Sequence, residues 1–326
     1  MKGRNTGITF GLIAAAGLLA AAFTTPAAAQ PLGIGSSPQG TLTYAMGAAF
    51  ANVLRETANV QARVQPQSGT GVMLPLINSG ELDFGFVNTL ELSEAYNGTG
   101  SHQGRAQQNL RAAAAMMPIR VGIFVRNDSP IQTIADLRGR RIAQGFTAQA
   151  VIQTVLTGVL ANGGLTPADI RPLQVPNLIR GVDEFIAGNA DAAFFALGHA
   201  KVAEADAAVG GIRFIPLSTD PAAVERMRRV VAPSYIGTAE PAPNLPGVRA
   251  PLPTMFYDYV MVVNASLPPA RVQMLVTTLH DHRDRLAAAV PIFRFQDNSR
   301  LYGRIDAPFH DGALAFFRAR NIAQVQ

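Results

Sequence analysis

The sequence predicts an α/β protein of two lobes joined by two chain crossings. Short β-like runs alternate with helix-like segments over most of the 326 residues, which is typical of parallel sheets covered by helices. A helix–turn–strand motif occurs twice, and an irregular Pro- and Gly-rich link at residues 236–253 leads the chain into a long apolar strand at residues 255–263. These observations place residues 30–125 and 255–326 in a first lobe and residues 126–254 in a second.

The first 29 residues have the composition of a secretory signal peptide. Lys2 and Arg4 precede an apolar run from residue 8 to 23, and Ala27 and Ala29 offer small residues for cleavage. A membrane anchor is the alternative, but this run of about 16 residues is shorter than the ~20 that span a bilayer. We therefore expect cleavage near Ala29 and export of the mature chain.

The composition indicates a soluble protein of a bacterial periplasm. The chain contains no cysteine, so no disulfide stabilises it, which is unusual for small secreted animal domains. The mature part keeps about 297 residues, enough for two packed lobes. Arginines are densest at residues 138–141 and 226–229, without interleaved aromatic residues. Solvated surfaces explain these arginines better than nucleic-acid binding, so we expect no nucleic-acid partner. We also expect a monomer.

The repeated motif is "INSGELDFGFVN" at residues 77–88 and "FIAGNADAAFFA" at residues 185–196. Both copies place a glycine, an aspartate and a phenylalanine at one spacing: Gly80, Asp83 and Phe86, then Gly188, Asp191 and Phe194. We expect each glycine to end a helix in a left-handed turn and each aspartate to bond turn backbone. A chance match is the alternative for so short a pattern. A strand, a polar loop and a helix precede each copy, which favours two similar lobes.

Polar loops precede three predicted helices, at residues 35–41, 68–71 and 145–149. The start of a helix carries unpaired N–H groups and a partial positive charge, so each loop could hold an anionic or amide group. Ordinary capping explains any single loop. Three of them at the carboxyl ends of strands favour a ligand cleft between the lobes.

Several stretches, in their order along the chain, resemble the TAXI-type solute-binding proteins of TRAP transporters. They include "LGIGSSPQGTLTYAMGAAFANVL", "VQPQSGTGVMLPLINSGELDFGFVN", "PTMFYDYVMVVNASLP" and "PFHDGALAFFRARN". The resemblance implies a type II periplasmic-binding-protein fold and a receptor without enzymatic activity. It also implies that the receptor delivers a small organic anion, such as an amino acid or another carboxylate, to a sodium-coupled TRAP permease.

By matching positions, the resemblance also implies a set of ligand contacts. They are Gly40, Thr41, Tyr44, Ser68, Gly69, Thr70, Asn88, Thr147, Ala148 and Gln149. Tyr257, on the returning strand, is expected to cover an apolar part of the ligand. Two loops depart from the family pattern. "GTLTYAMGA" has a single aromatic residue, and "GFTAQA" is bulky, with Phe146 expected to intrude, so the ligand's identity stays open.

No catalytic or metal-binding pattern is found in the sequence. His280 and His282 lie two apart on a helix predicted for residues 268–290, so they point to different faces and no shared metal is expected. No nucleophile elbow or phosphate loop occurs, and no cofactor is expected. Two alternatives to the TRAP receptor remain. One is a binding module that serves an ABC permease or a sensor kinase, and the other is an enzyme that reuses the fold.

Overall fold

The computed structural model describes residues 30–147 and 150–325. The strands are β1 (Leu32–Ser36), β2 (Ala62–Pro66), β3 (Phe84–Asn88), β4 (Leu110–Arg126), β5 (Arg141–Gly145), β6 (Arg171–Val175), β7 (Ala193–Ala196), β8 (Ile212–Phe214), β9 (Tyr235–Ala239) and β10 (Leu252–Asn264). The helices are α1 (Leu42–Ala58), α2 (Thr70–Ser79), α3 (Thr89–Asn97), α4 (Ala150–Asn162), α5 (Leu178–Ile186), α6 (Ala200–Val209), α7 (Pro221–Val230), α8 (Pro269–Asp281), α9 (Arg283–Ala289) and α10 (Asp311–Ala319). Within these ranges, no helix has the length and apolar character needed to cross a membrane. The predicted signal peptide lies outside the described residues.

The larger sheet has eight strands, six of them in the order β2–β1–β3–β10–β4–β7. β8 pairs with β4 and β9 with β10, while β5 and β6 form a separate parallel pair. The long antiparallel strands β4 and β10 connect the two ends of the sheet, because β10 pairs with β3 at one end and with β9 at the other. β4 ends and β10 begins where the crossings are predicted, and the α/β class is confirmed. The division into lobes near residues 126 and 254 stays a prediction.

Each copy of the repeated motif ties the start of one strand to its parallel neighbour. The Gly33 N–H donates to Asp83 Oδ2 at 2.6 Å, and the Arg141 N–H donates to Asp191 Oδ2 at 2.7 Å. Each aspartate N–H donates back to the carbonyl of the same partner, at 3.0 Å for Asp83 and 2.8 Å for Asp191. In both copies the partner lies 50 residues earlier. The aspartates therefore bond a neighbouring strand, rather than their own turn as expected.

The glycines of the motif have the predicted role. Gly80 follows α2 with φ 84°, and Gly188 follows α5 with φ 79°. Both values lie in the left-handed region, where a side chain would add strain. The two copies are the same structural unit, so the chance match is wrong.

Two predicted segments differ from the structure. The segment at residues 236–253, expected to be an irregular link, begins within β9, which pairs with the start of β10. The single helix predicted for residues 268–290 is two helices, because the backbone of His282 leaves the helical region between α8 and α9. In the first case pairing with β10 overrides the local pattern.

Replacing Asp191 by Asn is expected to lower the free energy of unfolding at pH 7 by about 1 kcal/mol, because its bonds from Arg141 are charge-assisted. Partial burial opposes the effect, but these bonds hold the pKa of the Asp191 carboxyl below its ordinary value of 3.8. A lowered pKa in the folded state stabilises above the unfolded pKa, and that stability is lost as the pH falls through the folded value.

Urea denaturation of Asp191→Asn and the wild type should therefore show a gap at pH 7 that narrows as the pH falls below about 4. The control is Asp128→Asn, at an exposed position, which should leave stability unchanged. A gap of constant size across this pH range would contradict the ionic origin of the stabilisation.

Candidate functional site

A cavity of about 710 Å³ lies at the carboxyl ends of several parallel strands. Its first wall consists of Ser37, residues 41–43, residues 68–71, Asn88, Glu91 and residues 101 and 102. Its floor consists of Phe86, Val87, Ile119, Val121, Tyr257 and Tyr259. Its second wall consists of Val151, Ile152, Leu178, Ile179, residues 194–196 and His199. Strand ends of an open α/β sheet are where such folds bind ligands.

The starts of two helices carry hydroxyl groups to the first wall. Thr41 caps α1: its Oγ1 accepts from the Tyr44 N–H at 3.4 Å and donates to the Pro38 carbonyl at 2.7 Å. α2 starts after Gly69, whose extended backbone places the next residues at the cavity. Among the described residues, no side chain caps the first N–H groups of α2. Both helix starts therefore direct partial positive charge at the cavity.

A capping box at the start of α3 brings a carboxyl group to the first wall. Asn88 Oδ1 accepts from the Glu91 N–H at 2.9 Å, and Glu91 Oε2 accepts from Asn88 Nδ2 at 2.7 Å. Glu91 Oε1 accepts from Thr70 Oγ1 at 2.9 Å, which links α3 to α2. Burial raises the pKa of the Glu91 carboxyl above its ordinary value, although the bonds from Thr70 and Asn88 oppose the rise. The bonds with Glu91 use part of the hydrogen-bonding capacity of the Asn88 side chain.

Two tyrosines of β10 lie on the floor. Tyr257 and Tyr259 face the cavity because alternate residues of a strand share a face. Phe256 lies on the other face, with its ring 5.7 Å from that of Tyr235. Burial, with Glu91 nearby, raises the pKa of Tyr259 to about 12, and burial also raises the pKa of Tyr257. Both phenols therefore keep their protons at neutral pH.

Among the residues that the structure describes, the second wall is apolar except for His199. Its residues come from the starts of α4 and α5 and from β7. His199 caps α6, since its Nδ1 accepts from the Lys201 N–H at 3.1 Å, and its ring lies 4.7 Å from that of Phe195. Burial lowers the pKa of His199 below its ordinary value, and burial also lowers the pKa of His102 on the first wall. Both rings are therefore neutral at pH 7.

The predicted ligand contacts fall into three groups. Those at the cavity are Thr41, Ser68, Gly69, Thr70, Asn88 and Tyr257. Gly40, Tyr44 and Thr147 lie outside the lining, and Ala148 and Gln149 lie outside the described residues. Gly40 is instead a turn residue with φ 90°, and Tyr44 lies inside α1 and donates its N–H to the Thr41 cap.

Phe146 was expected to intrude on the cavity, but it does not. Its side chain is 1% exposed and packs in the core beside β5 and α4, while its backbone has φ 37°. The left-handed backbone turns this side chain inward, which a sequence pattern does not reveal.

Glu91 is the functional candidate that the sequence reading missed. A signal was present, because Asn-x-x-Glu directly after an apolar strand matches a capping box. The polar loops at residues 35–41 and 68–71 indicated the starts of α1 and α2 as ligand contacts. α3 begins directly after β3 without a polar loop, so the start of α3 was not recognised from the sequence.

The fold is similar to that of several solved periplasmic solute-binding proteins. A periplasmic sulfonate-binding protein from Methylobacillus flagellatus matches with a TM-score of 0.53 at 14% identity, over 91% of this chain and 97% of that one. The aliphatic sulphonate-binding protein SsuA of Escherichia coli matches with a TM-score of 0.51 at 15% identity, over 90% and 88%. A TctC solute-binding protein from Polaromonas matches with a TM-score of 0.51 at 13% identity, over 91% and 90%.

The sequence itself matches the NMT1-like family over residues 34–319. The match covers the whole cavity lining and all ten strands except the start of β1. The chain belongs to the NMT1-like family.

Proposed function

We propose that this protein is a periplasmic solute receptor without enzymatic activity. It binds a small organic anion, such as an amino acid or another carboxylate, and delivers it to a TRAP-type sodium-coupled permease. The observation that supports this function is the convergence of two helix starts and several hydroxyl groups on one cavity. N–H groups and hydroxyls at helix starts can hold a carboxylate without a Lys or Arg side chain.

An ABC permease is the second candidate partner, because one solved relative is described as part of a sulfonate ABC transporter. The similarity to that protein is one of fold, so it does not decide between a TRAP and an ABC permease. Gene neighbours separate them. An adjacent TRAP membrane subunit supports the first partner, ABC subunits support the second, and a sensor kinase gene supports a signalling receptor.

We also propose that the lobes at residues 30–125 with 255–326 and at residues 126–254 close on the ligand. β4 and β10 run between the two ends of the sheet and are the elements that would bend. In this proposal Thr147, Ala148 and Gln149 contact the bound ligand. Thr147→Ala that leaves affinity unchanged would remove this loop from the site.

A thermal-shift screen of ligand-stripped, refolded protein tests the receptor function. The screen uses amino acids, keto acids, monocarboxylates and dicarboxylates. A ligand at 100 times its Kd should stabilise the folded protein by about 2.7 kcal/mol, which raises the unfolding temperature. A screen in which no acid or amide raises this temperature would contradict the proposal.

Ser68→Ala is expected to weaken binding of the best ligand from that screen by about tenfold, because one hydrogen bond to an anionic group is lost. Ser68 is exposed at the cavity before α2, so the fold should be unaffected. Isothermal titration calorimetry measures the change. Ser79→Ala, at the exposed end of the same helix, is the matched control and should bind like the wild type. Equal affinities for both variants would place the anionic group elsewhere.

A further inference from the structure

The two walls of the cavity differ in chemistry. On the first wall, hydroxyls, an amide and a carboxyl group lie beside the starts of α1, α2 and α3. On the second wall, the described side chains are aliphatic or aromatic apart from the neutral His199. A ligand that fills the cavity therefore meets a polar surface on one side and an apolar surface on the other.

The cavity lining carries no Lys or Arg side chain among the described residues. Its one carboxyl group, Glu91, is held by the neutral groups of Thr70 and Asn88. The phenols of Tyr257 and Tyr259 and the carboxyl of Glu94 are the other titratable groups near it. One anionic group can be held at the starts of α1 and α2. At the described part of the second wall, Asn177 and His199 already cap first-turn N–H groups of α5 and α6. A second anionic group would therefore lie against apolar side chains or beside the Glu91 carboxyl, and burying an unpaired charge in either place is costly.

We propose, given the receptor function above, that the ligand is amphipathic: it has one anionic head, bound at the first wall, and an aliphatic or aromatic body, bound at the second. For the same reason, a dicarboxylate should bind more weakly than the matching monocarboxylate. Ile179 on the second wall is 43% exposed, so it can lose water to the body of the ligand. The volume falls within the ~300–1,000 Å³ of pockets that hold drug-sized ligands, which leaves room for a ring or a branched chain.

Matched pairs of acids test this ligand class by calorimetry on the ligand-stripped wild-type protein. Hexanoate and adipate differ by a terminal methyl group against a carboxylate, and 4-methylbenzoate and terephthalate differ in the same way on a ring. In at least one pair the monocarboxylate should bind about tenfold more tightly or better, because the second carboxylate is buried without a partner.

Two variants test how each wall contributes to the difference in affinity between monocarboxylates and dicarboxylates. Glu91→Gln should narrow the difference between monocarboxylate and dicarboxylate affinity by strengthening dicarboxylate binding about fivefold, because a second carboxylate would then lie beside an amide, which can donate a hydrogen bond, and not beside a carboxyl group. Ile179→Ala should weaken the monocarboxylate about tenfold. Val72→Ala, at a residue that is also exposed near a helix start but lies outside the lining, should leave both affinities unchanged. Thermal melts of each variant show that it is folded.

The outcomes separate this inference from the receptor function. If the dicarboxylate of each pair binds more tightly, the receptor function stands and the amphipathic ligand is wrong. If none of these acids binds and the wider screen also finds no ligand, the receptor function itself is overturned. A gap that Glu91→Gln leaves unchanged would overturn the role of Glu91, and equal effects of Ile179→Ala and Val72→Ala would overturn that of the second wall.

Discussion

Phe50→Ala is expected to lower the free energy of unfolding by about 3–5 kcal/mol. The Phe50 side chain is 0% exposed, and its ring lies 5.7 Å from those of Phe84 and Phe86 in edge-to-face geometry. Removing it leaves a cavity between α1 and β3 and also breaks two aromatic pairs, each worth ~0.5–1.5 kcal/mol beyond area burial. Phe86 lies on the cavity floor as well, so the substitution should also weaken ligand binding.

Circular dichroism during urea denaturation measures this loss, and it suits a chain without tryptophan. The matched control is Phe295→Ala. The Phe295 ring is 45% exposed and has Arg120 above it at 4.8 Å. This exposed cation–π contact is worth about 1 kcal/mol or less. Similar losses of stability for the two variants would mean that the rings of Phe50, Phe84 and Phe86 are not tightly packed.

Local signals explain why so much of the fold could be predicted from the sequence. Helix ends at Gly80 and Gly188 follow from the backbone conformation that glycine tolerates, and hydrophobic periodicity places the helices between strands. The repeated aspartates also pointed correctly to two copies of one unit. Their bonding partners could not be predicted, because Gly33 and Arg141 lie 50 residues away and carry no distinguishing side-chain pattern.

Strands held by distant neighbours were harder to predict. The first part of β4 reads "LRAAAAMMP", and alanine has little strand propensity, so the sequence indicates a strand only in the later part, at residues 120–125. The structure buries this alanine run in the sheet, where it pairs with β10. β9 is likewise set by its pairing with β10. Tertiary contacts decide both strands.

The candidate site was predicted in part for the same reason. Polar loops at helix starts are local signals, and Thr41, Ser68 and Thr70 do lie at the cavity. Apolar residues such as Ile152 and Ile179 read in sequence as ordinary core positions of a helix. Only the arrangement of α4 and α5 around the cavity shows that these side chains form its second wall.

Gly312→Ala is expected to destabilise the protein by about 1–3 kcal/mol. Gly312 is the second residue of α10, where a methyl group would lie 2.2 Å from the Pro269 carbonyl oxygen at the start of α8. Since that atom belongs to the backbone, one helix must move to make room. The movement would also strain the cap of α10, in which the Gly312 N–H donates to His310 Nδ1 at 3.1 Å.

Gly71→Ala is the matched comparison, because Gly71 is the second residue of α2 and a methyl group there would meet no atom within 4 Å. Helix propensity alone predicts that both substitutions stabilise, by ~0.5–1 kcal/mol each, since alanine loses less backbone entropy than glycine. The packing of α10 on α8 predicts opposite signs instead. Urea denaturation of the two variants distinguishes these expectations: a gain for Gly71→Ala with a loss for Gly312→Ala means that close helix contact, not conformational freedom, requires the glycine at residue 312. A gain at both positions would mean that α10 can move away from α8 at little cost.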